Sequence, residues 1–381
     1  MNILVIPTTD WIRHPVPNRL NFIFDILAEN HNVHVAHFTL KKFHQEKERN
    51  TRCILHNLTT VDVDDPSSYY LINSLTHLVK LRNIIKMEKI DVIVSANILP
   101  AFAVNFIKGD LPLVFDYLDH YEESAATYYP NSFFGKIVKT GVKSIIHYNL
   151  KKSNSVITVT EEFKQFLHSI GVKDVHVIPN GVDTTMFKQI STEVAKKDLG
   201  LDGIVIGYVG SLEYWVDLET VIKALPELDV KLLVVGPGLF TDYGEMIKEL
   251  ADKLGVLDKI TFTGRVEYHD LYKYISAMDL GLNPLKHVKK NEITVGGKIF
   301  NYLACGKPVL SSRMIALETL MDDDLYYYDD LKSFINMTNK ILSQIHDGSK
   351  YMQIARDFDW KNIANEYEDV IQKVLHESNQ T

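Results

Sequence analysis

Gly296-Gly297-Lys298 is the stretch whose residue types point most directly to chemistry. The two glycines open an apolar segment, Ile299-Phe-Asn-Tyr-Leu-Ala-Cys305, that reads as a helix. Gly306-Lys307-Pro308 then turns into a short strand, Val309–Ser312. The first turn of a helix carries backbone N–H groups without helical partners and a partial positive charge. Phosphate binds well there. Lys298 adds a full charge, and glycines let the backbone approach an anion closely. A second candidate cation is Arg265 in Phe262-Thr-Gly-Arg-Val266, whose planar fork matches two phosphate oxygens at once. Lys286, after Asn283-Pro284, is a third.

Other chemistries lack their residues. No Gly-x-Gly-x-x-Gly follows the first apolar run, and neither a P-loop lysine motif nor a nucleophile elbow occurs. The two cysteines, Cys53 and Cys305, are far apart and have no metal-like spacing, so neither a disulfide framework nor a zinc site is expected. No metal-binding carboxylate pair is evident, and no cofactor or metal is expected. A net charge of −8 argues against a general nucleic-acid binder. The opening MNILVIP lacks the basic n-region and long h-region of a signal peptide, and no run nears ~20 apolar residues. The expected location is the cytoplasm.

The elements that must position these groups follow from periodicity. Asn2–Pro7, Val33–Phe38, Asp91–Ser95, Pro112–Asp116, Ser155–Thr160 and Val175–Pro179 read as buried strands. A second series is Ile204–Val209, Lys231–Gly236, Lys259–Gly264, Asp279–Pro284, Lys307–Ser311 and Leu325–Tyr328. Helical segments such as Leu218–Leu225 and Tyr243–Leu254 lie between them. Strand and helix in alternation imply a parallel sheet covered on both faces. Two such series predict an α/β protein of two doubly wound, Rossmann-like domains, residues 1–187 and 188–359. Past Asp359, Ile363, Tyr367, Val370, Ile371 and Val374 form the apolar stripe of one more helix, 360–375. In open α/β sheets ligands bind at the carboxyl ends of strands, where Gly210-Ser211 and Arg265-Val266 fall.

The run Gly296–Ser312, with Ile178-Pro-Asn-Gly-Val-Asp-Thr-Thr-Met-Phe187 before it, resembles the retaining glycosyltransferases of family 4, of GT-B architecture. That resemblance implies two domains facing a central cleft, with the last helix crossing back to the first. It implies a hexosyltransferase-like enzyme of polysaccharide or glycoconjugate biosynthesis. The donor would be a nucleotide diphosphate sugar and the acceptor a glycan or lipid-linked molecule, with configuration retained and no metal. The donor would meet Gly210, Ser211, Arg265, Val266, Gly296, Gly297 and Lys298. Several family features are missing. Where many members have an Arg and a Lys-Gly, this chain has Ser211 and Glu213–Asp217. The family's two glutamates would fall at Ile293 and Asn301, leaving Glu292, Thr294 and Asn301 as the contacts to sugar and ribose. Two alternatives stay open: a GT-B sugar-nucleotide epimerase, which would share the fold and donor site but need no acceptor, and a non-catalytic nucleotide-sugar-binding subunit, which these departures keep open.

On the first domain the resemblance places Asp119 and His120 beside the reacting sugar as catalytic candidates, and Asp10, Trp11 and Arg13 on the acceptor side. From Ser124 to Thr160 there is no Asp or Glu, yet lysines recur. If 135–152 is helical, Lys136, Lys139 and Lys143 share a stripe beside an apolar one, with Phe133 and Phe134 just before it. That pattern suits an anionic membrane surface, and so a peripheral protein.

Overall fold

The computed structural model describes residues 1–64, 66–96, 98–118, 133–238 and 241–380. The chain divides into two compact units, Met1–Pro179 with Trp360–Thr381, and Asn180–Asp359. The C-terminal helix, Trp360–Ser378, therefore belongs to the first unit.

The first unit is built on β1 (Asn2–Ile6), β2 (Asn32–His37), β3 (Ile54–Asn57), β4 (Val92–Ser95), β5 (Leu113–Asp116), β6 (Ser155–Thr158) and β7 (Val175–Val177). They form one sheet in the order β3-β2-β1-β4-β5-β6-β7, every pairing parallel. The inner strands are apolar on both faces because helices cover both. One face packs on the Arg19–Leu27 helix and the C-terminal helix through Phe24, Val35, Val94, Ile363, Tyr367 and Ile371. Phe22 stacks on Trp360 at 5.0 Å and Phe24 meets Tyr367 edge-on at 5.5 Å. The other face packs on the Pro66–Met87 helix through Ala36, Leu81, Ile84 and Ile93.

The second unit repeats the plan with β8 (Val205–Val209), β9 (Lys231–Val235), β10 (Ile260–Gly264), β11 (Leu280–Asn283), β12 (Val309–Ser312) and β13 (Tyr326–Tyr328). Its order is β10-β9-β8-β11-β12-β13, again all parallel. The direction of winding reverses between β1 and β4 in one unit and between β8 and β11 in the other. Such switch points are where open α/β sheets leave a crevice at the carboxyl ends of their strands. Val182 and Phe187 are buried in the second unit's core, where Val182 pairs with Asp359 in a parallel bridge. No described helix is long and apolar enough to cross a membrane.

Candidate functional site

The carboxyl end of β8 is shaped by glycine. Gly210 has φ +148°, and a Cβ there would lie 2.8 Å from the Tyr208 hydroxyl. On the neighbouring strand Gly236 has φ +129°, and its Cβ would lie 2.2 Å from the Gly210 carbonyl oxygen. Gly210 is held in a backbone conformation that side chains rarely adopt, and at Gly236 the two strand ends pass too close together for a Cβ.

Onto this end comes the helix Lys298–Ala304, and its placement is set by Tyr302. The buried Tyr302 hydroxyl accepts from the Val209 N–H at 2.7 Å and donates to the Leu282 carbonyl at 3.2 Å. It thereby ties the helix to β8 and β11 at the switch point. Its ring occupies the space a Cβ on Gly281 would need, 2.7 Å away. Lys298 lies one turn earlier on the same helical face as Tyr302. Its ammonium therefore reaches the end of β8, 4.4 Å above the Tyr208 ring and 3.4 Å from the Tyr208 hydroxyl. That hydroxyl in turn donates to the Ser211 carbonyl at 2.8 Å.

Lys298 makes no ion pair among the described residues. Burial strips water from its ammonium and pulls its pKa down to about 8. A half-solvated cation without a carboxylate gains most from an anion that restores its lost solvation. The first-turn N–H groups have no side-chain cap, since the residue before the helix is Gly297. A Cβ on Gly296 would meet nothing, and one on Gly297 only the Gly181 carbonyl at 3.9 Å. The chain's own packing thus does not demand glycine at either place.

The other donor-side candidates are spread out. Asn301, next to Tyr302, is half-buried, and its side-chain amide has no partner among the described residues. Glu292 is engaged inside the fold: one oxygen meets His287 Nδ1 at 2.6 Å, and the other accepts the Ile315 N–H at 3.2 Å. The Thr294 hydroxyl donates back to the Lys290 carbonyl at 2.8 Å. Arg265 stands at the end of β10, two strands from β8, with its guanidinium 3.8 Å from Glu267. Val266 packs against the core there. Lys286 pairs with Glu219 at 2.7 Å and covers the Tyr243 ring. Of the three cations named from the sequence, Lys298 alone among the described residues lacks a carboxylate.

In the first unit, the loop after β1 is anchored inward. Trp11 is core, with its indole N–H donating to Thr51 at 3.2 Å. Asp10 is fully buried and turns the loop by accepting the Ile12 and Arg13 N–H groups at 3.2 and 2.9 Å. Its second oxygen has no hydrogen bond among the described residues, and His37 Nδ1 lies 4.0 Å from the first. Burial pushes the His37 pKa down. Arg13 pairs with Glu48 at 2.7 Å. Asp119 and His120 lie outside the described residues, as do the side chains of Phe133, Phe134, Lys136 and Lys139. Lys143 is exposed on the helix Phe133–Lys152.

Two groups escape a reading by motif. Tyr208, which positions Lys298, looks in sequence like any aromatic of a buried strand. The second is a buried cluster at the end of β5. The Asp116 carboxylate lies 3.6 Å from Arg19 Nε and accepts the Tyr367 hydroxyl at 3.1 Å, and all three side chains are buried. Burial raises the Asp116 pKa, while Arg19 and Tyr367 pull it back. One signal for Arg19 exists: a cation in a helix's first turn opposes the macrodipole and so calls for an anion nearby.

Two all-parallel, doubly wound units, the second offering an unneutralised cation at its switch point, have the GT-B architecture of glycosyltransferases. Two family models match in succession, Glycosyltransferase Family 4 over residues 25–186 and Glycosyl transferases group 1 over 203–344. The chain belongs to the family 4 glycosyltransferases. It is 29% identical to the glycosyltransferase TuaH of Bacillus subtilis over 198 residues, 50% of this chain and 49% of that protein. To a D-inositol 3-phosphate glycosyltransferase of Stackebrandtia nassauensis it is 27% identical over 58% of this chain and 55% of the other. It thus matches about half the length of these relatives. Among solved structures it resembles sucrose-phosphate synthase of Thermosynechococcus elongatus, with TM-score 0.79, 17% identity and 99% of each chain covered. It also resembles HepE of Anabaena in complex with UDP-glucose, with TM-score 0.72, 18% identity, and 98% and 100% covered.

Proposed function

We propose that this chain transfers a sugar from a nucleotide diphosphate sugar to a glycan or lipid-linked acceptor, with retention of anomeric configuration. The observation that carries this reading is Lys298, a desolvated ammonium without a carboxylate at the β8–β11 switch point. As the glycosidic bond breaks, the anomeric carbon turns oxocarbenium-like and negative charge builds on the departing diphosphate. Lys298 and the first-turn N–H groups meet that charge without reorganising, so they stabilise the transition state more than the bound donor. Protein cations, rather than a divalent ion, do this work. Gly296 and Gly297 leave the backbone open to the phosphates, and the Asn301 amide is available to a donor hydroxyl. That HepE was solved with UDP-glucose makes UDP-sugars the first donors to try.

The test is a panel of UDP-, GDP-, ADP- and dTDP-sugars, read first by melting and then by nucleoside diphosphate release with acceptors. A donor at ~100 times its dissociation constant raises stability by about 2.7 kcal/mol. Release that depends on acceptor, with an α product from an α donor by NMR, is the expected result. No melting shift with any donor defeats the reading. Conversion of the donor alone to a different sugar makes the protein an epimerase.

The acceptor side of the proposal places the chain at the cytoplasmic face of a membrane. Its support is the helix Phe133–Lys152, where Lys143, Lys151 and Lys152 are exposed while Ile146 and Leu150 turn inward. Each lysine near anionic lipid contributes roughly 1 kcal/mol. Flotation with phosphatidylglycerol vesicles should recover the protein at low salt and lose it as salt rises. Recovery that ignores salt, or none at all, counts against a lipid-linked acceptor reached this way.

A further inference from the structure

The first unit carries a cluster of metal-ligating side chains that the transfer reading does not use. His34 lies on β2 and His56 on the edge strand β3, in a register that pairs His34 with Ile54 and Ala36 with His56. Side chains two apart on a strand share a face, so both imidazoles stand on the face covered by the Pro66–Met87 helix. The helix supplies the third group. Its last turn, held on the sheet by Leu81 and Ile84, continues through a 2.9 Å bond from the Glu88 N–H to the Ile84 carbonyl, and Glu88 then points at the two rings.

The donor atoms converge closely. His34 Nδ1 is 3.0 Å from His56 Nε2, and Glu88 Oε2 is 4.0 Å from His34 Nδ1. All three ligand atoms lie within 4.8 Å of one another. Zinc–nitrogen bonds of 2.0–2.1 Å at tetrahedral angles hold two donor atoms about 3.4 Å apart. The two histidines are already near that spacing. Glu88, whose side chain is 36% exposed, needs only a small swing to reach it. Glu88 also faces His34 as an ion-pair partner would, and its carboxylate adds what the two neutral imidazoles lack as ligands. A dication held by the rings is partly neutralised by that carboxylate, because the rings supply no negative charge.

We propose that His34, His56 and Glu88 form a site for a divalent transition-metal ion. Two imidazoles and a carboxylate favour zinc or a neighbouring first-row ion over calcium or magnesium. Three protein ligands leave one position to water. The ion fastens β3, an edge strand among the described residues, to β2 and to the end of the covering helix. None of the three residues is a donor-side or acceptor-side candidate, so this site stands whether or not the transfer reading does.

The experiment uses the full-length, tag-free protein stripped with a chelator. Zinc chloride is titrated in by calorimetry, and melting is followed with and without zinc. A saturable site with one zinc per chain is expected, together with a melting shift that a chelator reverses. His56→Ala and Glu88→Gln should each weaken binding roughly tenfold or more, since losing a group that only orients a ligand already costs about that much. His56 and Glu88 are partly exposed, so circular dichroism should report both variants as folded. Cobalt(II) added to the wild type should give the intense visible bands of a tetrahedral site. No saturable binding overturns the proposal, and so does equal zinc affinity in wild type and His56→Ala.

Discussion

Replacing Lys298 with alanine should lower kcat/KM for the nucleotide sugar by roughly 10²–10³, the size of losing one preorganised donor to a developing anion. The loss follows from where the ammonium sits. It is held above Tyr208 by a helix that Tyr302 pins to two strand ends, so it is preorganised for the anion. Binding of the nucleoside diphosphate should weaken strongly, while the free nucleoside binds almost as before. Calorimetry with both ligands checks this, and equal loss for both would remove Lys298 from the phosphate site. The pH dependence has a definite sign. The pKa of Lys298 is about 8 in the folded protein, below its ordinary 10.5. Diphosphate affinity should therefore be steady below pH 8 and fall as pH rises through that value, because the free protein loses the proton the anion needs. Folding linkage runs the other way: burial disfavours the charged form, so this group makes folding more favourable as pH rises from about 8 to 10.5. Lys298→Met should show neither trend.

Asp116→Ala should destabilise the first unit by about 3–5 kcal/mol in urea unfolding. The carboxylate is the ion-pair partner of Arg19, whose Nε and both terminal nitrogens are buried without a hydrogen bond among the described residues. Removing it leaves a guanidinium in the interior with only the Tyr367 ring and the more distant Glu366 to offset lost hydration. Tyr367→Phe removes one hydrogen bond to the same carboxylate and should cost about 1.5–3 kcal/mol. The double variant Arg19→Met/Asp116→Leu should recover most of the loss, because it removes both charges from the interior. If Asp116→Ala unfolds like the wild type, the ion pair does not hold the unit together.

The strands were readable because buried parallel strands are near-continuous Val and Ile runs, and the second unit's strands lie where those runs lie. β3 was not readable. Its Ile-Leu-His-Asn is half exposed at a sheet edge, so neither alternation nor a long apolar run marks it. Lys298 was readable because Gly-Gly-Lys before an apolar segment is a local pattern. Glu292 and Thr294 drew attention by lying one residue from, or next to, a family position, and a sequence cannot tell that their oxygens bond to Ile315, His287 and Lys290 instead. Tyr208 and Arg19 were invisible for a different reason. What they touch is set by tertiary packing, as with Asp116 and Tyr367, 251 residues apart. The histidines of β2 and β3 escaped because metal spacing is sought along the chain, whereas here the register between two strands supplies it.

The position of the C-terminal helix has a consequence for biosynthesis. The first unit begins at Met1 but is completed only by Trp360–Ser378, which supply Ile363, Tyr367 and Ile371 to its core. On the ribosome, residues 180–359 must be made in between, which takes roughly 10–40 s at 5–20 residues per second. Throughout that time the Arg19–Leu27 helix presents Leu20, Ile23 and Phe24 without the C-terminal helix that packs beside them. The second unit, by contrast, is continuous in sequence and can close as soon as it emerges. Of the two units, the one translated earlier is thus finished later, and its exposed apolar face is a ready substrate for a chaperone.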